Sequence, residues 1–336
     1  MPLPAASRSP IASPAALTRR RVLCGLAAAI AWPPARARSG SEWPPRQIRL
    51  IVAYPVGGVS SQVARALGEA LARELSVPVV LEHRPGAGGT LAIDAVARAA
   101  ADGSVLAFSA ITPLTLAPLL GSVPYDAQRD LAPVMAVMRT PVLVAGTPAL
   151  PAEDMPGAIA WARAEAGRLR WASSGVGTTG HMVLERAARA AAISVVHVPY
   201  AGGGQPLADA IGGQFELLST NVAPTQLRHL REGRLKALAV TGPARLPSLP
   251  ATPTLAELEL AEANLVSTFG VFAPGATPSE RVGRLNRALA TALEASGMAA
   301  ALAAADNFVL GGSAGEFARM IADDAESHRR WFAGRP

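Results

Sequence analysis

Two turns of small residues have a composition suited to holding an anion. Residues 55–61 read PVGGVSS and residues 173–181 read SSGVGTTGH; each turn follows a short apolar segment and precedes a helical one. The glycines permit backbone angles that other residues resist, and Ser60 or Ser61 can cap the helix after the first turn. A helix N-terminus presents unpaired N–H groups at the positive end of the helix dipole. Two such turns facing each other could bind a small anion without a buried arginine to balance its charge.

The elements that must position these turns follow an alternating pattern of strands and helices. Val63, Leu67, Leu71 and Leu75 recur every four residues and so lie on one helical face. Similar helical stretches alternate with short apolar runs from about residue 46 onward, which predicts mainly parallel sheets covered by helices. In such sheets ligands bind beyond the carboxyl ends of the strands, where both turns fall.

The number of predicted strands exceeds what one sheet comfortably holds. We therefore expect an α/β protein with two lobes, each a largely parallel sheet flanked by helices, and a ligand cleft between them. Residues 46–145 and 268–336 are assigned to a discontinuous first lobe, and residues 146–267 to the second. A helix is predicted at 253–260.

The first 37 residues have the features of an export signal. Five of the 31 basic residues and none of the 25 acidic ones lie there, so the rest of the chain is nearly neutral and the net charge of +6 does not indicate a nucleic-acid partner. A basic segment precedes the apolar run 22–32 and a possible cleavage site at 35–37. Residues 18–23 resemble a twin-arginine signal, with a Sec signal as the alternative. Either route predicts a periplasmic protein, whose single cysteine, Cys24, would be removed.

Other functions find less support in the motifs. Residues 175–180 match G-x-G-x-x-G, but the next apolar segment lacks the acidic residue that a dinucleotide site requires. The five histidines show no metal-ligand spacing. The second turn lacks G-x-S-x-G because no glycine stands before Ser173 and Ser174 in the required place, although Ser174, His181 and a distant acid could still form a catalytic triad. We expect no cofactor, no metal and no enzymatic activity, and we keep a serine hydrolase as a minor alternative.

A series of further motifs resembles one known family. They are IRLIV at 48–52, PVGG at 55–58, EHRPGAGG at 82–89, ADG at 101–103, VPYD at 123–126, ASSGVGT at 172–178, HVPY at 197–200, GGQ at 212–214 and ALAVT at 237–241. In this order and spacing they are similar to the periplasmic substrate-binding proteins of tripartite tricarboxylate transporters, the Bug receptors. The resemblance covers roughly residues 44–332 and is more specific than any single glycine-rich turn.

The resemblance implies a hinge-closing receptor for a small carboxylate or a similar small metabolite, with membrane permease subunits as its partners. We also expect a monomer. Carried over position by position, the family's binding residues correspond to Tyr54, Gly57, Gly58, Ser60, Ser61, Ser173, Ser174, Gly175, Thr178 and His181, with Tyr200 and Asn221 as second-rank candidates. An alternative with the same fold is a periplasmic sensor that docks on a membrane signalling protein.

Two positions depart from the family's pattern. Ser61 and Thr220 stand where relatives often carry aspartate. If either acid meets a ligand ammonium group in those relatives, its loss predicts a carboxylate ligand without an amine.

Overall fold

The computed structural model describes residues 43–202 and 206–334, and its elements alternate as the apolar pattern predicts. The strands are β1 (Ile48–Val52), β2 (Val79–His83), β3 (Val105–Ala110), β4 (Leu131–Thr140), β5 (Val142–Gly146), β6 (Arg170–Ser173), β7 (Val196–Pro199), β8 (Leu217–Asn221), β9 (Lys236–Val240), β10 (Ser267–Pro274) and β11 (Phe308–Gly311). The helices are α1 (Val59–Leu75), α2 (Thr90–Ala97), α3 (Thr112–Thr115), α4 (Ala117–Leu120), α5 (Met155–Ala164), α6 (Thr179–Ala190), α7 (Pro206–Ile211), α8 (Pro224–Arg231), α9 (Ser279–Glu294), α10 (Ser296–Ala303) and α11 (Ala314–Ala333).

These strands form two mixed sheets, one in each lobe. The first sheet has the order β11-β4-β10-β3-β1-β2 and the second β7-β6-β8-β5-β9. The expected parallel pairing is found in β2-β1-β3 and in β7-β6-β8. The remaining pairs are antiparallel. Each sheet is therefore mixed, and each glycine-rich turn follows the middle strand of a parallel trio.

The chain changes sheets twice. Strand β4 ends at Thr140 in the first sheet, and β5 begins at Val142 in the second, with Pro141 between them. The return follows β9, and β10 re-enters the first sheet at Ser267. Residues 142–145, which the sequence assigned to the first lobe, pair within the second sheet. Strands β4 and β10 are antiparallel neighbours in the first sheet. The chain leaves the first sheet at the end of β4 and returns to it at the start of β10, so the two crossings lie next to each other.

The apolar face of α1 packs as its periodicity predicts. Val63, Leu67 and Leu71 are fully buried and belong to one core cluster with Leu50 of β1 and Leu289 of α9. A separate cluster forms the core of the second lobe around Trp171, whose indole N–H donates to Ser219 Oγ at 2.7 Å. Both anchoring strands are therefore held by a core directly behind the turns.

Two local predictions differ from the structure. The segment 253–260 contains turns rather than a helix. Its start does carry a helix-capping pattern, since Thr254 Oγ1 accepts from Glu257 N at 3.1 Å. However, Leu255 N donates to Val240 O at 2.9 Å, which ties the segment to β9, and Glu259 has a positive φ of 60°. In addition, helices α3, α4 and α10 and strand β11 were not predicted from the sequence.

The proposed export signal at 1–37 lies outside the described residues. Within the ranges that the structure describes, no helix is long and apolar enough to cross a membrane.

Candidate ligand-binding cleft

A cleft between the two sheets brings the two glycine-rich turns together. The centre of a water-sized sphere can occupy about 40 Å³ of it, and part of the cleft is open to solvent. The lining residues come from the ends of β1, β3, β6 and β8, the start of β10, and the first turns of the helices that follow: Tyr54, Pro55, Gly58, Val59, Ser60, Ala110, Thr112, Ser174, Thr178, Thr179, Gly180, Thr220, Asn221, Gln226, Ser267 and Phe269. The carboxyl ends of the parallel strands thus frame the cleft, as expected for an α/β fold.

The first turn presents the N-terminus of α1 to the cleft. Gly58 is the N-cap, in an extended conformation and without a side-chain cap, so the prediction that Ser60 or Ser61 caps this helix is wrong. Both serines lie inside the first helical turn because the helix begins one residue earlier, at Val59. Ser61 N donates to Gly58 O at 3.1 Å, whereas Val59 N and Ser60 N donate no backbone hydrogen bond among the described residues. These two N–H groups are the orphan donors of the helix start.

The second turn presents the N-terminus of α6 in the same way. Thr178 is the N-cap; its hydroxyl donates to Gly175 O at 2.7 Å and accepts from His181 N at 3.3 Å. Thr179 and Gly180, the first two helical residues, line the cleft. A Cβ at Gly180 would lie 3.0 Å from Ser219 O, so glycine allows α6 to begin close against β8. Two helix dipoles therefore place their positive ends at the same cleft.

The lining groups are neutral. Hydroxyl and amide side chains alternate with backbone N–H groups, and the described lining residues include no aspartate, glutamate, lysine, arginine or histidine. Tyr54 is the only titratable side chain among these described residues. Burial raises the pKa of Tyr54 to about 12, against an opposing effect of the nearby hydroxyls of Ser109 and Thr112. An anion bound here would meet helix dipoles and neutral hydrogen-bonding groups, and no charged side chain of the described lining.

The predicted site residues fall into two groups. Tyr54, Gly58, Ser60, Ser174, Thr178 and Asn221 line the cleft. Gly57, Ser61, Ser173, Gly175, His181 and Tyr200 are not among the lining residues. Gly57 and Gly175 shape the turns with φ of 100° and 128°. Tyr200 donates its hydroxyl to Asp209 Oδ2 at 2.6 Å, which directs it to a neighbour in its own lobe.

Ser173 and His181 belong to a cluster behind the second turn. Ser173 is fully buried, and its Oγ lies 2.8 Å from His197 Nε2. The rings of His181 and His197 stack with their centroids 4.4 Å apart. Gly177 N donates to His181 Nδ1 at 3.4 Å, so the imidazole helps to fix the turn. These side chains support the second turn from within the lobe.

The residues that the sequence did not single out come mostly from other chain segments. Thr112 follows β3, Gln226 lies in the first turn of α8, and Ser267 and Phe269 begin β10. Ser267 Oγ donates to Asn221 Oδ1 at 2.9 Å and so joins the two sheets beside the cleft. The pairing of Ser267 with Asn221 depends on how the chain crosses from one sheet to the other. The spacing of apolar residues within a single segment does not encode that crossing. Thr179 and Gly180, by contrast, stand inside the predicted turn and could have been named.

Solved structures with the same fold define the class of protein. The match to one titled a periplasmic transporter has a TM-score of 0.80 at 31% identity and covers 85% of this chain and 96% of that chain. Two Rhodopseudomonas palustris proteins match with TM-scores of 0.78: one with adipate (29% identity; 87% of this chain and 97% of that chain) and MatC with bound malate (27% identity; 86% and 98%). The fold is that of a periplasmic binding protein.

Sequence comparison identifies the family. Residues 63–333 match the model of the tripartite tricarboxylate transporter family receptor. BugT of Bordetella pertussis is 34% identical over 268 residues, covering 79% of this chain and 82% of BugT. A Pseudomonas sp. (strain P51) relative from the tcbD-tcbE intergenic region is 31% identical over 314 residues, covering 93% of this chain and 92% of the relative. The chain belongs to the tripartite tricarboxylate transporter receptor family, whose members are solute-binding receptors rather than enzymes.

Proposed function

We propose that this receptor binds a small carboxylate without an amine between its two lobes, and delivers it to the membrane subunits of a tripartite tricarboxylate-type transporter. The observation that carries the proposal is the pair of helix N-termini, from α1 and α6, that meet in a cleft lined by neutral groups. The structural relatives with adipate and malate support a carboxylate as the ligand class.

The carboxylate is anchored by donors from both lobes. The N–H groups of Val59 and Ser60 on one side, and those of Thr179 and Gly180 on the other, are placed to donate to its oxygens. Each helix terminus contributes roughly 0.3–2 kcal/mol through its dipole, and charge-assisted hydrogen bonds add to this. A ligand that contacts both turns stabilises the closed arrangement of the lobes over an open one.

The absence of an amine in the proposed ligand rests on the same lining. An ammonium group buried without an acidic partner is unfavourable, and the part of the lining that the structure describes holds no acidic residue. Thr220, at one of the two positions where relatives often carry aspartate, lies in the cleft. Aspartate or glutamate should therefore bind more weakly than their deaminated analogues. Tighter binding of either amino acid would contradict this part of the proposal.

The proposal extends to the whole chain. Residues 1–37 serve as the export signal, by the Tat or Sec route, and the mature receptor acts as a monomer in the periplasm. The lobes are residues 46–141 with 267–336, and 142–266, so that Pro141 and the segment before Ser267 form the two crossings about which the lobes close.

A thermal-shift screen of the purified mature protein tests the ligand class. Small mono-, di- and tricarboxylates, their amino analogues and neutral amides of the same size should be compared at equal concentration. We expect carboxylates to raise the melting temperature, with the neutral amides as the matched control. If no carboxylate shifts the melt and native mass spectrometry finds no co-purified acid, the proposal fails.

Gly58→Asp tests the anchoring geometry. Gly58 has φ −83° and ψ 171°, which any residue can adopt, and a Cβ there meets nothing within 4 Å. Aspartate is a favoured N-cap, so its carboxylate should take the free N–H groups of α1 and keep or slightly raise the stability of the unliganded protein. Carboxylate binding should weaken by at least about tenfold, because the donors are occupied and a like charge faces the ligand.

The matched control is Gly121→Asp, an exposed glycine outside the cleft that also has free space at its Cβ. Calorimetric titration should give wild-type affinity for this variant. Undiminished carboxylate binding by Gly58→Asp would show that the α1 terminus does not hold the ligand.

A further inference from the structure

We infer that Gln226 selects carboxylates that also carry a hydroxyl group, with its side-chain oxygen accepting the hydroxyl hydrogen. The inference rests on the proposed function and deepens it, because it concerns the part of the ligand that the two helix termini do not hold. Gln226 was not identified by sequence reasoning and lies in the first turn of α8, on the second lobe.

The environment of Gln226 leaves one polar atom without a partner. The residue is only 4% exposed, yet it lines the cleft. Its Oε1 is buried and accepts no hydrogen bond from any described residue. A buried polar atom of this kind costs free energy unless a partner arrives, so most are paired in native proteins. The cleft is the side from which a partner can come.

The hydrogen bonds of Thr220 fix which end of the amide is unpaired. Gln226 Nε2 donates to Thr220 Oγ1 at 3.4 Å. Thr220 Oγ1 lies 3.5 Å from Asn221 O, toward which it directs its own hydrogen, and therefore accepts from the amide nitrogen. The oxygen of Gln226 is left as an acceptor. It calls for a donor on the ligand.

A hydroxyl is the donor that fits this neutral surrounding. A second carboxylate is only an acceptor when ionised, and it would face the Gln226 oxygen unfavourably. An ammonium group would lack an acidic partner in the lining. A hydroxyl donates one hydrogen bond without bringing charge into the site. A site built to bind a hydroxyl rejects the analogue that lacks it, because its own buried polar atom is then left unpaired.

Titration calorimetry with matched ligand pairs tests the inference. The pairs are lactate and propionate, 3-hydroxybutyrate and butyrate, and malate and succinate, which place the hydroxyl at different distances from the carboxylates. We expect wild-type protein to prefer the hydroxylated member of at least one pair by about tenfold, the value of one net hydrogen bond to a buried group. In Gln226→Met, which keeps the length of the side chain and removes the acceptor, the ratio should fall to near one.

Gln62→Met provides the matched control, because Gln62 is an exposed glutamine in the first lobe's α1. It should keep the wild-type ratio. Circular dichroism and the melting temperature establish that each variant is folded, and Gln226→Asn, which keeps the amide but withdraws it from the ligand, serves if the methionine variant does not fold.

The outcomes separate this inference from the proposed function. If carboxylates bind but every pair stays within about threefold, or if the preference survives in Gln226→Met, the inference is overturned while the receptor proposal stands. If no member of any pair binds, the inference fails, whereas the receptor proposal fails only if no carboxylate of the thermal-shift screen binds and no acid co-purifies.

Discussion

At the scale of single residues, the second turn depends on a pair of histidines that do not face the cleft. His197 is half-buried, pairs with Ser173 through Nε2 and stacks on His181. Burial, together with the nearby His181, lowers the pKa of His197 to about 4. The folded protein therefore favours the neutral imidazole, which keeps its place beside the buried serine.

A pH dependence of stability follows from this shift. The pKa of His197 in the folded state lies below its unfolded value of 6.5, so between about pH 6.5 and 4 the unfolded chain binds the proton more readily. The associated stability is complete above pH 6.5 and is lost as the pH falls toward 4. We expect the melting temperature of His197→Gln to fall less over this interval than that of the wild type.

Differential scanning fluorimetry from pH 8 to pH 4 measures this difference. The carboxyl groups of the protein titrate in both the wild type and His197→Gln. The contribution of His197 is therefore the difference between the two curves of melting temperature against pH. Parallel curves across the interval would contradict the assignment.

At the scale of elements, the two lobes approach each other closely at two glycines. A Cβ at Gly88, in the turn after β2, would lie 2.6 Å from Val176 O in the second glycine-rich turn. Gly202, on the second lobe, likewise leaves no room for a Cβ beside Pro55 of the first. The observed distance between the lobes thus requires glycine at position 88 in the first lobe and at position 202 in the second.

Gly88→Ala should impair ligand binding without touching the ligand site. The added methyl group meets backbone of the opposite lobe, so the closed state is disfavoured and affinity should drop by about tenfold or more. Gly233→Ala is the matched control, because Gly233 has nearly the same φ (68° against 65°) but open space at its Cβ. Both variants should lose similar stability, about 1 kcal/mol, from the left-handed backbone.

The melting temperature reports the backbone strain that both variants share, and the affinity measured by calorimetry reports the effect of Gly88→Ala on lobe closure. Equal affinity in the two variants would mean that Gly88 does not limit closure.

The elements that carry local signals could be predicted from the sequence. The periodic helix α1, the alternation of strands and helices, and the positions of both turns follow from apolar spacing and glycine content. The cap of α1 was misplaced by up to three residues because serine is a good N-cap residue, while Gly58 performs the role without a side chain. Thr112, Gln226 and Ser267 reach the cleft only because particular strands become neighbours. The order of strands in a mixed sheet cannot be predicted from any single segment of the sequence.

At the scale of the whole molecule, helix α11 ties the first lobe to the second. Trp331 near its end packs with Leu116 and with Met182 of α6. The guanidinium groups of Arg186 and Arg189, also on α6, lie 5.4 Å and 5.7 Å from the Trp331 ring. The same helix that offers its N-terminus to the cleft is therefore held along its length by the other lobe.

Trp331→Ala should weaken the coupling between lobes. Loss of the buried ring is expected to cost about 3 kcal/mol and to lower the melting temperature by about 6–12 °C. Calorimetry should also show a broader or double unfolding transition, because the lobes then unfold less cooperatively. Trp43→Ala is the control, since Trp43 packs on Arg284 within the first lobe, 4.7 Å from ring to guanidinium. A single sharp transition in Trp331→Ala would argue against the coupling.

The uncharged lining of the cleft limits how ligand binding can depend on pH. Among the described lining residues only Tyr54 can titrate, and only near pH 12, so none of these side chains exchanges a proton with solvent in the pH range that cells encounter. Binding is then not linked to proton uptake or release by these side chains. Above pH 6.5, where His197 keeps its full contribution to stability, acidification alters binding of the proposed carboxylate chiefly through the ligand's own ionisation. The protein would sense the amount of an acid's anion rather than the acidity of its environment.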